Sequence, residues 1–102
     1  MKLIQELCEE IQEEIEGAKW YVTKAIELKE TYPEVAKTLY TISLQEMEHM
    51  KMLHDSVVLI IKDYRDKEGE PPATMMAVYE YLHKKQIDKA ADVKVLQGLY
   101  KE

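Results

Sequence analysis

Two rows of residues, stepping alternately by three and four, run through the first 60 positions. They leave a chain of this kind little choice but packed helices. The first row is Ile4, Leu7, Ile11, Glu14, Ala18, Tyr21, Ala25 and Leu28. The second is Val35, Leu39, Ile42, Glu46, His49, Leu53, Ser56 and Ile60. No stretch sustains the period-two alternation of a half-buried strand. Between the rows lies Thr31-Tyr32-Pro33-Glu34, where Thr31 is placed to cap a helix start, Pro33 suits its first turn and Glu34 completes a capping box. In the second break, Lys67-Glu68-Gly69-Glu70-Pro71-Pro72, Gly69 suits a helix end and the two prolines stop continuation. The sequence therefore predicts helices over about 2–30, 32–67 and 72–100. Asp88 offers a cap for a shorter fourth helix, but with no Gly or Pro nearby the continuous third helix is preferred. Short turns make neighbours antiparallel, so the expected fold is an all-α antiparallel three-helix bundle, with residues 1–102 as one domain.

Charge and composition narrow the partners. A net charge of −6 argues against nucleic acid or an anionic membrane as the main partner, since both need a basic face. One arginine, Arg65, gives bidentate phosphate recognition little to work with. The single cysteine, Cys8, cannot close an internal disulfide, which points to a reducing compartment or a buried thiol. No apolar run approaches the ~18 residues of a membrane span, and charge returns at Glu6, too early for a signal peptide; the cytoplasm is the expected location. A chain this short buries a small core, so a partner subunit is also expected.

The chemistry lies in the members of the two rows that are not apolar. Glu14, Glu46 and His49 occupy slots where leucine would stabilise more, and a carboxylate facing a core is costly unless paired, hydrogen-bonded or bound to a metal. Glu14 lies about 17 residues before the first turn and Glu46 about 15 after it, so at ~1.5 Å per residue their heights differ by only a few Å. A hairpin then brings all three together in mid-bundle. Glu46 and His49, at i and i+3, leave one helix face together and can grip one ion or bridge two.

A glutamate in one helix followed by Glu46-Met47-Glu48-His49 in the next resembles the first half of a ferritin-like, carboxylate-bridged di-iron bundle, closest to rubrerythrins. Family members often follow the first glutamate with a small residue at +3, Tyr at +7 and Ala at +11; here Glu14 is followed by Gly17, Tyr21 and Ala25. The likeness covers roughly residues 10–60, and the last third of the chain does not supply the family's remaining helix pair. It implies a dinuclear iron site on Glu14, Glu46 and His49, with ferrous iron oxidation or reduction of oxygen or peroxide as its activity. Carboxylate and imidazole ligands also suit manganese, and zinc is not excluded. A rubredoxin-like centre needs four cysteines and only Cys8 is present, so a complete rubrerythrin electron path within this chain is ruled out.

One hairpin supplies two Glu and one His, half of the ligand set such sites use. A second motif, Glu80-Tyr81-Leu82-His83, sits at the wrong height, ~20 Å from the level of Glu46. The residues level with Glu46 and His49 are near Ala90, Ala91, Asp92 and Val93, where Asp92 could contribute a ligand. The preferred route is a homodimer, in which a two-fold axis doubles the set to four Glu and two His, as encapsulated ferritins do; a higher homo-oligomer is also open. His54 reaches a height similar to His83, so a His54/His83/Glu80 cluster is a further candidate, though a partly exposed pair is the blander reading. Met47, Met50 and Met52 read as core filler, Tyr21 as a buried tyrosine, and Cys8 as a packed thiol. The competing class of function is a metal-free helical adaptor or assembly protein. Its seams would bind helices, and its polar seam residues would fix register.

Overall fold

Both predicted breaks fall between helices. The computed structural model describes residues 2–102, which form α1 (Lys2–Leu28), α2 (Pro33–Glu68) and α3 (Ala73–Lys101) and, among the described residues, no strand. The fold is an all-helical, three-helix bundle. α3 is unbroken through Asp88, as the lack of Gly or Pro there implied. Pro33 stands at the start of α2, but the cap is Tyr32, which makes no side-chain hydrogen bond; the expected capping box on Thr31 is not formed. The Tyr32 carbonyl instead accepts the Ala36 N–H, so the backbone alone satisfies this turn. Gly69 closes α2 at φ 88°, a conformation that favours glycine, and its N–H donates to the Arg65 carbonyl. The molecule measures 55 × 18 × 18 Å, its long axis matching the ~54 Å of a 36-residue helix. No helix among the described residues is long and apolar enough to cross a membrane.

α1 is the common support. It lies along α2 and carries α3, while α2 and α3 touch far less. Contacts between α1 and α2 fall in reverse order along the two helices: Ala18 meets Ser43, Gly17 faces Glu46, and Glu14 lies beside His49. The buried stripe of α1 is Ile4, Cys8, Ile11, Ile15, Ala18, Val22 and Ala25. It shares Ile4, Ile11, Ala18 and Ala25 with the predicted row, but Leu7, Glu14, Tyr21 and Leu28 are only half-buried. A helix with a neighbour on each side buries a wider stripe than a coiled-coil seam, centred between its two contact rows. On α2 the buried residues are Ala36, Ser43, Val57 and Ile61; no member of the predicted row is fully buried, and Val35, His49 and Ser56 are exposed. Fully burying each of Val22, Val57 and Val93 contributes about 1.5–3 kcal/mol.

A polar contact that the apolar rows do not announce ties the three helices together. Ser43 Oγ donates to the Ala18 carbonyl at 2.7 Å and accepts from Gln97 Nε2 at 3.0 Å. All three groups lie in the interior, and Ser43 is fully buried. Lower down, Gln86 Nε2 donates to the Cys8 carbonyl at 3.1 Å. Ser43→Ala removes the acceptor for Gln97 and leaves a buried amide N–H unmatched. The expected cost is about 1–3 kcal/mol in chemical denaturation, and adding Gln97→Leu should recover much of it by removing the stranded donor. Equal stability of the single and double variants would show that Gln97 finds another partner.

Candidate metal centre

Glu14 comes from the half-buried edge of α1, and Glu46 and His49 from successive turns of α2. One ligand atom from each lies within 4.8 Å of the others, and this is the only such His/Cys/Asp/Glu group among the described residues. His49 Nδ1 stands 3.5 Å from Glu14 Oε2, too far for a good hydrogen bond. Glu14 Oε2 is buried and has no hydrogen-bond partner, an unusual and costly condition for a carboxylate oxygen. Gly17 faces the group, and a Cβ there would come into ordinary contact with Glu46 Oε2 at 3.4 Å.

The placement corrects the sequence expectation in one respect. The group sits at mid-length but on the flank of the α1–α2 pair, not in the centre of the bundle. The Glu14 side chain is 22% exposed and that of His49 56%. Both border a shallow hollow lined by Glu10, Met52 and Leu53, with no residue of α3. Glu14 belongs to the same half-buried row as Leu7 and Tyr21, which the seam pattern places inward and the structure places on the flank. Beside the group Met52 is exposed and Leu53 half-buried, next to the charged Glu10, while exposed Leu59 and Leu3 line a separate hollow farther along α2 and α1.

Electrostatics follow from the crowding. The Glu46 carboxyl is raised from 4.5 to about 7, chiefly because a proton on it is shared with the Glu14 carboxylate; burial and the Glu14 charge push the same way, and His49 opposes them. A folded-state value above the unfolded one means that the proton stabilises the fold. In metal-free protein this contribution is complete below pH 4.5 and is lost as the pH rises through about 7. Melting curves in chelator should therefore show Tm falling between pH 5 and 8, and Glu46→Gln should flatten that slope. A slope unchanged by Glu46→Gln would assign it to other groups.

The remaining candidates separate from this group. Glu80 and Asp92 are exposed and stand outside it. His54 and His83 meet, as their heights implied, but as stacked rings with centroids 4.6 Å apart and planes 17° from parallel. Tyr79 extends the stack on His83 at 5.7 Å. Imidazole lone pairs lie in the ring plane, so stacked rings do not converge on one ion. Burial and the neighbouring His54 lower the His83 pKa, which favours the neutral ring that stacking needs. Cys8 is buried, and burial first, then Glu9, raises its pKa; it is a packed thiol rather than a nucleophile. Glu48 and Met52 point to solvent, while Met47 and Met50 pack against the core. Gly17, which faces Glu46, is the small residue three after Glu14 on which the family likeness rests, and Glu10 at the rim belongs to the acidic run of α1 and carries no periodic signature of its own.

Compared with models of known protein families, with characterised proteins and with solved structures, the chain matches none.

Proposed function

We propose that this chain is a ferritin-like metalloprotein, an antiparallel helical bundle in which Glu14, Glu46 and His49 hold a metal ion. Two copies, docked through the α1–α2 flank, would double the ligands into a dinuclear centre. The observation that carries the reading is the convergence of two carboxylates and an imidazole, one ligand atom from each within 4.8 Å of the others, beside a buried Glu14 Oε2 that has no hydrogen bond and only His49 Nδ1 near it, at 3.5 Å. A cation would balance the two carboxylates and satisfy that oxygen. The donor set suits iron or manganese, with zinc also accommodated. Exposed Met52 beside the group, with Leu59 and Leu3 exposed farther along the same pair of helices, supports docking of a second copy there.

Each residue has a definable part. Glu14 and Glu46 are close enough for their carboxylates to bridge neighbouring ions, and His49 supplies a neutral nitrogen ligand. Glu46, titrating near 7, gives up its shared proton when a cation binds, so uptake should weaken in acid. Bound iron would supply one-electron chemistry with oxygen or peroxide. The test is elemental analysis of protein purified without added metal, followed by anaerobic ferrous loading and exposure to air. Rapid growth of near-ultraviolet absorbance would mark oxidation at the site, loading without such growth would mark a metal store, and no uptake would overturn the reading.

The exposed apolar flank also favours a second reading, a metal-free assembly protein whose polar trio fixes helix register. It predicts association that chelator leaves intact.

A further inference from the structure

α3 is apolar on more than its inner side. Its core face is Gln86, Val93 and Gln97 with half-buried neighbours, yet Val78, Tyr81, Val95 and Leu99 are exposed. With Lys85, Asp88 and Asp92, also exposed, they form one outward row stepping by three and four from 78 to 99. That is the spacing of a helix seam, on a face that nothing within the chain covers. Lys85 Nζ lies 4.9 Å from the centre of the Tyr81 ring, which places these two side chains side by side on the row.

We propose that this row is a docking surface for a second copy of the chain, α3 against α3 in antiparallel orientation about a two-fold axis. The order of residue types in the row carries the inference. Antiparallel seams pair alternate slots, and one register matches the row from Val78 to Val95 to itself, with Leu99 beyond the last pair. Val78 meets Val95 of the second copy, Tyr81 meets Asp92, and Lys85 meets Asp88, each contact occurring twice by symmetry. The apolar residues fall at the ends and the opposite charges at the centre. Tyr81 gains a carboxylate for its hydroxyl, and no like charges oppose. The next register that keeps the slots sets Asp88 against Asp92 and Lys85 against Val95, so the row discriminates as well as matches. On the flank of the row, Ala77 falls opposite Gly98 of the second copy, allowing close approach. A Cβ on Gly98, which lies in the last turn of α3, would meet nothing within this chain. The surface lies on a different helix from the carboxylate group, and the inference does not rest on metal binding.

Disulfide trapping tests the register. Val78 and Val95 are ~25 Å apart along one helix, so cysteines at both positions cannot bond within a chain. The variant carrying Val78→Cys and Val95→Cys, with native Cys8 left in its buried place, is oxidised with diamide and run on a non-reducing denaturing gel. Twice the single-chain mass of 12.0 kDa is expected. Val78→Cys alone and Val95→Cys alone should stay monomeric, because each residue is far from its own copy across the axis. Adding Lys85→Asp should cut the trapped fraction roughly fivefold or more, and adding Asp88→Lys to that variant should restore it, since the swap rebuilds the central pairs in reverse. A double-cysteine variant that stays at single-chain mass, single variants that cross-link as well as the double, or a charge swap that restores nothing would each overturn the inference.

Discussion

Replacing Glu46 and His49 together by leucine is expected to abolish metal uptake and to erase a metal-dependent rise in Tm of about 10–20 °C. A cation at ~100 times its Kd stabilises the protein that binds it by about 2.7 kcal/mol. For a domain of this size each kcal/mol is worth about 4–8 °C. Without metal the double variant should be at least as stable as the parent, because the change removes the crowding that raises Glu46 and sets apolar side chains beside Leu53 and Met52. Calorimetry with and without anaerobic ferrous ion, or with manganese where oxidation must be avoided, measures both quantities. A variant that keeps the metal-dependent shift would move the site elsewhere. A parent with no shift, beside a variant of higher stability, would favour the assembly reading.

The second large effect is on mass. A single chain offers two carboxylates and one imidazole, on a flank open to water, with His49 more than half exposed. Two ions held that way would lack ligands and would leave the apolar residues beside them uncovered. Metal should therefore raise the mass in sedimentation at least twofold over the metal-free state, with one ion bound per chain, and chelator should reverse it. The Glu46 and His49 leucine variant should not respond. One ion per chain with no change in mass would mean a mononuclear site within a single bundle, and the two-fold arrangement would be wrong even though metal binding stood.

Much of the bundle was legible because the signals were local. Pro33 and Gly69 act on their own backbone, so both breaks could be read without knowing what packs where. The continuous α3 followed from the absence of any residue that would stop it. Thr31 misled because a capping box is one of several ways to satisfy the first turn, and here the turn closes on backbone groups through Tyr32. The height of Glu14 against Glu46 followed from a constant rise per residue, and the structure sets them side by side.

Rotation about the helix axis was harder to read, because it depends on how many neighbours a helix has. With α3 resting on it, α1 buries Cys8, Ile15 and Val22 and swings Glu14 to the edge. The same swing moved the candidate site from the centre of the bundle to a face that a second molecule can cover. Ser43 and Gln97 were invisible for a related reason: a buried polar pair carries no period, and each is tolerated inside only because the other is there. By itself, the sequence determined the number of helices, their ends and the level at which two carboxylates and an imidazole meet, since all of these follow from local backbone preference and a fixed rise. Tertiary structure decided which way those groups face and which polar residues are interior. Orientation about an axis is set by the competition among neighbouring helices for the same apolar surface.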